Sequence, residues 1–144
     1  MRILIISFAY PPLNVIGAFR VSKISKYLSD LGHEVYILSA NTKISGVKSE
    51  IEINESHIYY VNYFDLYSYI NPLIGSKNKL LNLFGRVCRF LVSPGSNRLP
   101  DWRRLLWISP AYRMGIELIE KHDIDLVYSS SSPPASAIIA SRLK

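Results

Sequence analysis

The first thirty-nine residues limit what this chain can fold into more than any other stretch. Residues 2–8 are an almost unbroken apolar run that ends before two prolines, which predicts a strand buried on both faces. Apolar residues then recur at helical spacing over 21–31, and Gly32 stands where a helix end favours positive φ. A second strand is predicted at 34–39. Together these elements predict a βαβ unit, in which the strands are parallel and the crossover is right-handed.

The loop at 9–17 is the part of this unit that we expect to meet a ligand. In open parallel sheets, ligands bind beyond the carboxyl ends of the strands, where a helix N-terminus offers free N–H groups and a positive dipole end. Gly17 either serves a tight turn or lets the backbone approach a ligand closely. Arg20 either contacts an anion at this position or is simply solvated.

The rest of the chain predicts further strands and helices around this unit. The predicted strands are at 51–53 (a short extension), 57–64 and 125–129, the last of them buried. The predicted helices are at 66–74, from 77 to a proline-containing break at 93–100, at 106–121 with Ile108, Ala111, Tyr112, Leu118 and Ile119 inward, and at 135–143. We expect a serine within 129–132 to cap the last helix, with a ligand role for these serines as the alternative. The whole predicts an α/β fold with a parallel sheet of strand order 3-2-1-4.

Positive charge is concentrated in one segment. The net charge is +6, and seven of the 17 Lys and Arg residues lie between residues 77 and 104 against one acidic residue there. We expect this segment to face an anionic membrane surface, although an ordinary solvated helix face has the same pattern. Its candidate membrane-facing residues are Lys79, Arg86, Arg89, Trp102, Arg103 and Arg104. Nucleic acid is disfavoured as a partner, because no nucleic-acid motif accompanies the charge.

Composition excludes several other classes of protein. The 144 residues are 49% hydrophobic, which is enough for the core of one domain, and no apolar run is long enough to span a membrane. We therefore expect a cytoplasmic protein, peripheral at the inner membrane face. The lone Cys88 is expected to be buried, and the three histidines have no partners at useful spacing, so no metal site is predicted. The loop lacks the G-x-G-x-x-G pattern of dinucleotide-binding enzymes.

An ordered set of residues resembles a known family. The set is Tyr10-Pro11-Pro12, Gly17-Ala18, Arg20, Leu28, Gly32-His33-Glu34-Val35, Pro100-Asp101, Trp107, Ala111, Asp125-Leu126-Val127, Ser131-Ser132-Pro133-Pro134, Ser136 and Ala140. It resembles the N-terminal, acceptor-side domain of GT-B glycosyltransferases. The resemblance is to the retaining group 4 family that builds bacterial O-antigen and capsule polysaccharides, and within it to the N-acetylfucosamine transferase-like subgroup.

The resemblance implies a Rossmann-like domain of an enzyme that moves a sugar from a nucleotide-sugar donor to an acceptor, often a lipid-linked one. No cofactor is implied, because the nucleotide sugar is a substrate. The residues implied at the donor diphosphate and the acceptor are Tyr10, Pro11, Gly17, Ala18 and Arg20. Those implied on the acceptor or sugar side are Ser130, Ser131 and Ser132. No catalytic side chain can be named.

The chain also departs from the family's pattern. It has a single glycine at the loop where many relatives have two, and serines follow the fourth strand where many relatives have a histidine. The donor-binding C-terminal domain with its paired glutamates is not found in residues 1–144, so we expect the isolated chain to be inactive and to bind nucleotide sugars weakly. The strand at 125–129 is expected to be a sheet edge that either pairs with a second copy or is buried by a neighbouring element. The alternative function is a non-catalytic membrane-surface or partner-binding module.

Overall fold

The structure, a computed structural model, describes residues 1–42, 49–64, 70, 72–92, 102–130 and 134–144. Two compact units make up the chain. The first comprises Met1–Tyr63 and Trp107–Lys144, and the second comprises Phe64–Leu106. The first unit is therefore built from residues on both sides of the second one in sequence.

The first unit contains a parallel sheet of four strands in the order β3-β2-β1-β4. The strands are β1 (Arg2–Ser7), β2 (Glu34–Ala40), β3 (Ile58–Val61) and β4 (Leu126–Ser129). Ile3 of β1 is in register with Val35 of β2 on one side and with Leu126 of β4 on the other. The predicted α/β, Rossmann-like fold with strand order 3-2-1-4 is confirmed.

The crossover helix α1 (Ile16–Asp30) ends where the sequence indicates. Gly32 has a φ of 83°. Its N–H donates to the carbonyl of Ser29 at 2.9 Å, and the N–H of His33 donates to that of Leu28 at 3.1 Å. These two bonds form a Schellman motif, which satisfies the last carbonyls of the helix and turns the chain into β2.

Both faces of the sheet are buried. Because side chains alternate along a strand, Ile3 and Ile5 lie on one face together with Val35 and Ile37, and α1 packs on that face through Val21. The other face carries Leu4, Ile6, Tyr36 and Leu38, all buried. It meets a later helix, Trp102–His122, at two points: the Trp107 ring contacts Phe8 next to β1, and the His122 ring stacks on Tyr36.

The remaining helices are α2 (Lys79–Val92), α3 (Trp102–His122) and α4 (Ala135–Arg142). The helix α3 begins at Trp102, four residues before the predicted start at 106, because its first turn precedes the residues that show apolar periodicity. Of the residues predicted to face inward, Ile108, Ala111 and Leu118 are buried, whereas Tyr112 and Ile119 are half-buried. None of the helices in the described ranges is long and apolar enough to span a membrane.

Three sequence predictions for strands need correction. The third strand is shorter than predicted at both ends: a 3-10 turn at Glu55–His57, capped by Asn54, takes its first residue, and the strand ends at Val61 instead of 64. No strand forms at 51–53. The fourth strand is not fully buried, since β4 lies at the end of the sheet order and its Leu126 and Tyr128 side chains are 46% and 40% exposed.

Two predictions about helices fall partly outside the described residues. In the predicted helix at 66–74, residues 72–74 are helical, and residues 65–69 and 71 lie outside the described part. For α4 the N-cap residue is Pro134, which makes no side-chain capping bond, so the described residues show no serine cap. Residues 93–101 and 131–133, which include the predicted break and two of the serines, also lie outside the description.

Candidate functional site

The loop between β1 and α1 is fixed at the carboxyl edge of the sheet. Within the loop, the N–H of Leu13 donates to the Tyr10 carbonyl at 3.1 Å. From outside it, the N–H of Ser49 donates to the Pro12 carbonyl at 3.0 Å, and the Tyr60 hydroxyl donates to the Pro11 carbonyl. The loop is therefore held by β3 and by the chain that precedes β3.

Tyr10 and Pro11, two of the expected site residues, lie in this loop, and both are buried. The Ser25 hydroxyl donates to the carbonyl of Ser22 at 2.8 Å, so the Tyr10 hydroxyl donates to Ser25 Oγ across 3.0 Å. Burial raises the pKa of Tyr10, which keeps this phenol protonated. These residues support the loop from the side of the core instead of reaching toward solvent.

Gly17 and Ala18 lie in the first turn of α1, not in the loop before it. The structure gives Gly17 no positive φ, and a Cβ added there would meet no atom within 4 Å, so the tight-turn interpretation is wrong. Ala18 is fully buried, and its N–H and that of Phe19 both donate to the Val15 carbonyl, at 3.0 and 3.2 Å. The N–H groups at 16 and 17 precede these bonds, in the position where helices leave donors free for a ligand.

Arg20 and Ser130 come together at the same edge. Arg20 Nη2 donates to Ser130 Oγ across 3.0 Å, although the two residues are 110 positions apart in sequence. Ser130 is nearly buried, and its N–H donates to the Ile6 carbonyl at 3.0 Å, which extends the pairing of β1 with β4 by one residue. The bond thus joins the first turns of α1 to the end of β4. Ser131 and Ser132 lie outside the described residues.

A cavity of about 180 Å³ opens beside this loop at the ends of β2 and β3. Its walls are formed by Tyr10, Pro12, Leu13, Ala40, Asn41, Thr42 and Tyr60. Asn41 Nδ2 donates to Asn62 Oδ1 at 2.7 Å, which ties the ends of the two strands together. Sequence reasoning did not single out Asn41 or Tyr60. The available signal was that Asn41 comes two residues after the end of the predicted second strand.

The edge offers donors for binding but no evident general base. Burial raises the pKa of Tyr60 to about 12, so this phenol is protonated at neutral pH, as is that of Tyr10. None of the described residues that line the cavity or form the Arg20–Ser130 pair is a carboxylate, imidazole or thiol. Among these described side chains the edge carries hydrogen-bond donors and one cation, Arg20.

The histidines lie at the opposite, amino edge of the sheet. The Tyr36 ring stacks with His57 and with His122, at centroid distances of 4.7 and 4.2 Å. The Tyr59 hydroxyl and His122 Nε2 are 3.0 Å apart, and burial lowers the pKa of His122. This packing agrees with the expectation that the histidines are structural. In the described ranges, no group of three or more His, Cys, Asp or Glu residues could hold a metal ion.

In the second unit, α2 exposes both a basic face and an apolar one. Lys79 and Arg86 are exposed, and Cys88 is half-buried instead of buried as expected. Five exposed apolar residues of this helix, which we call the apolar stripe, are Leu80, Leu83, Phe84, Val87 and Phe90; Leu81 is exposed as well. Arg89 and residues 102–104 are helical, but their side chains lie outside the described part.

Comparison of the chain with protein-family models, with curated proteins and with solved structures finds no match.

Proposed function

We propose that this chain is the acceptor-side, Rossmann-like domain of a retaining GT-B glycosyltransferase. Its substrates would be a nucleotide-sugar donor and a lipid-linked acceptor of bacterial surface-polysaccharide synthesis. The observation that carries the proposal is the 3.0 Å bond from Arg20 to Ser130. This bond joins Arg20, a cation near the N-terminus of α1, to the Ser130 hydroxyl at the end of β4. Both lie at the edge where parallel sheets bind ligands.

The chemistry of this edge suits a diphosphate. Arg20 uses one N–H on Ser130, and its remaining donors are available for phosphate oxygens in the bidentate geometry that guanidinium favours. The N–H groups at 16 and 17 and the positive end of the α1 dipole add to the attraction for an anion. Ser130 accepts from Arg20, so its own proton is free to be donated to a ligand oxygen. The cavity beside the loop offers the Asn41 and Thr42 side chains to a polar substituent of the acceptor.

Changing Arg20 to glutamine should weaken diphosphate binding roughly 10- to 100-fold, since a hydrogen bond to a charged group contributes about 1.5–3 kcal/mol. Calorimetric titration with pyrophosphate and with a polyprenyl diphosphate measures the effect. Arg113→Gln, an equal loss of charge on an exposed position of α3, is the control and should leave affinity unchanged.

Two measurements test the proposal: diphosphate binding and sugar transfer. If Arg20→Gln and Arg113→Gln bind diphosphate as tightly as the unchanged chain, Arg20 is not part of a diphosphate site. In a parallel assay with nucleotide sugars and the polyprenyl diphosphate acceptor, release of nucleoside diphosphate that depends on Arg20 supports sugar transfer. Absence of release is expected for residues 1–144 alone, so the diphosphate titration is the deciding measurement and the transfer assay can only add support.

A membrane-surface module is the second candidate, and the exposed apolar stripe of α2 favours it. Leu80 is 77% exposed, and the stripe lies beside Lys79 and Arg86 on the same helix. Helices of this kind lie in the membrane interface, with their apolar face in the acyl region and their basic residues near anionic headgroups. The two candidates are compatible, because a lipid-linked acceptor is presented at a membrane.

Sedimentation with vesicles tests the membrane candidate. The chain should sediment with vesicles that contain phosphatidylglycerol far more than with vesicles of pure phosphatidylcholine. The bound fraction should fall between about 0.05 and 0.5 M salt, because the Debye length shortens from more than 10 Å to less than 5 Å over that range. Equal recovery in the supernatant with both kinds of vesicle would contradict the candidate.

A further inference from the structure

An open cavity of about 440 Å³ lies at the N-terminal end of α2, within the second unit. The residues that line it are Ser76, Lys77, Lys79, Asn82, Leu83 and Arg86. Three of these six side chains are cations, two are neutral donors, and one is apolar. The cavity is separate from the carboxyl edge of the sheet, which belongs to the other unit.

Among the described residues, the positive charge of this cavity has no carboxylate partner. The sequence from 66 to 100 contains no Asp or Glu. The ion pairs of the described residues involve Arg2, Lys23 and Lys26, and none of them involves a cation of the cavity. Like charges that converge on one cavity repel each other, and an anion placed among them removes that repulsion. The cavity is therefore complementary to an anion.

The turn that leads into α2 is held by its own hydrogen bonds. Asn78 Oδ1 accepts the N–H of Leu80 at 3.0 Å, and Ser76 Oγ accepts the N–H of Asn78 at 3.2 Å. These bonds fix the backbone from which Lys77 and Lys79 project. Ser76 acts there as an acceptor, so its hydroxyl proton can still be donated to a bound group. These local bonds hold the backbone of the site, and a held backbone lowers the entropic cost of binding.

Leu83 connects the cavity to the apolar stripe. It lies four residues after Lys79 and three before Arg86, so all three share one face of the helix. Leu83 is also a member of the exposed stripe that continues through Phe84, Val87 and Phe90. A ligand that fills the cavity therefore has an anionic group among the cations and an apolar portion along the stripe. A phospholipid has both parts, whereas a free phosphate has no apolar portion that could contact the stripe.

We propose that this cavity binds the phosphate headgroup of an anionic lipid, and that it binds a phosphomonoester headgroup more tightly than a phosphodiester one. The proposal rests on the membrane-surface function proposed above. A phosphomonoester carries about −1.5 to −2 charges at pH 7 and has three free oxygens, so it matches three cations better than a singly charged diester does. Arg86 contributes a planar pair of donors, and the lysines contribute point charges.

The test compares vesicles that contain phosphatidic acid with vesicles that contain phosphatidylglycerol, at matched surface potential. The unchanged chain should bind the phosphatidic acid vesicles several-fold more tightly. In the cavity variant Lys77→Gln, Lys79→Gln, Arg86→Gln, affinity should fall roughly a hundredfold, since each basic residue near an anionic surface contributes about a factor of five. The preference for phosphatidic acid should also be lost. The control variant Arg113→Gln, Lys121→Gln, Lys144→Gln loses the same charge at exposed positions of the first unit and should keep the preference.

Each other result overturns the proposal in a distinguishable way. If the unchanged chain binds both kinds of anionic vesicle equally, the result supports the membrane function but contradicts a headgroup-selective site in the cavity. If the control variant loses as much affinity as the cavity variant, binding depends on net charge and not on the cavity. If the chain binds no vesicle, the membrane function falls as well. Titration with glycerol 3-phosphate, followed by NMR of the amides at 76–86, then shows whether the cavity is a site for soluble phosphate.

Discussion

Replacing Trp107 with alanine should lower the free energy of unfolding by about 3–5 kcal/mol. The Trp107 side chain is fully buried, and its ring meets Phe8 edge to face at a centroid distance of 5.4 Å and an interplanar angle of 88°. The change removes the largest buried side chain of the described core and leaves a cavity next to the end of β1. Urea denaturation followed by circular dichroism measures the loss.

Trp107→Phe is the matched control, and it should cost much less than the alanine change. Among the described residues, Trp107 Nε1 is buried without a hydrogen-bond partner. A buried donor without a partner costs about 1–3 kcal/mol, so phenylalanine removes that penalty while it keeps most of the ring contact with Phe8. Equal losses for the two variants would contradict this account, as would an alanine variant with unchanged stability.

The βαβ unit could be predicted because its determinants are local. The apolar run of β1, the helical spacing of 21–31 and the positive φ of Gly32 each depend on residues near them in sequence. Parallel pairing and the right-handed crossover then follow from general rules of chain geometry. These constraints fix the parallel pairing of the first two strands, and the prediction of the fourth strand beside the first came from the strand order of Rossmann-like sheets.

The start of α1 could not be predicted, because it carries no sequence signal. Its N-cap residue is Val15, which has an extended backbone and makes no side-chain capping bond. Because no Ser, Thr, Asp or Asn stands at this position, the sequence predicts that Gly17 lies in the loop. In the structure Gly17 is the second residue of the helix. The partial exposure of β4 follows from its place at the end of the sheet order, which the predicted order 3-2-1-4 already implied, so the expectation of a buried strand was the part that failed.

The candidate site was predicted in part. Arg20 and Ser130 were chosen separately, one for the helix N-terminus and the other for the end of a strand. Their contact follows from the rule that the carboxyl ends of parallel strands meet at one edge. The cavity lined by Asn41 and Tyr60 depends on side-chain packing between β2, β3 and the loop. No sequence pattern encodes such packing, because the contacting residues are distant in the chain.

Changing Phe84 and Phe90 of α2 to serine together should weaken binding to anionic vesicles roughly 30- to 700-fold. The two side chains are 60% and 82% exposed, so in solution they stabilise the fold little. In a membrane interface each would bury apolar surface, and a joint contribution of about 2–4 kcal/mol corresponds to that change in affinity. Vesicle sedimentation at fixed salt measures it, and the free energy of unfolding should change by less than about 0.5 kcal/mol.

Phe19→Ser with Tyr27→Ser is the control, because these aromatic residues are exposed on α1 in the other unit. The control should bind vesicles as the unchanged chain does. If both double variants lose affinity equally, adsorption is a general property of exposed aromatic rings and α2 has no special part in it. If neither loses affinity while binding still falls with salt, the basic residues act alone. A loss confined to Phe84 and Phe90 requires that the apolar stripe itself enters the membrane, because both variants remove two exposed aromatic rings but from different helices.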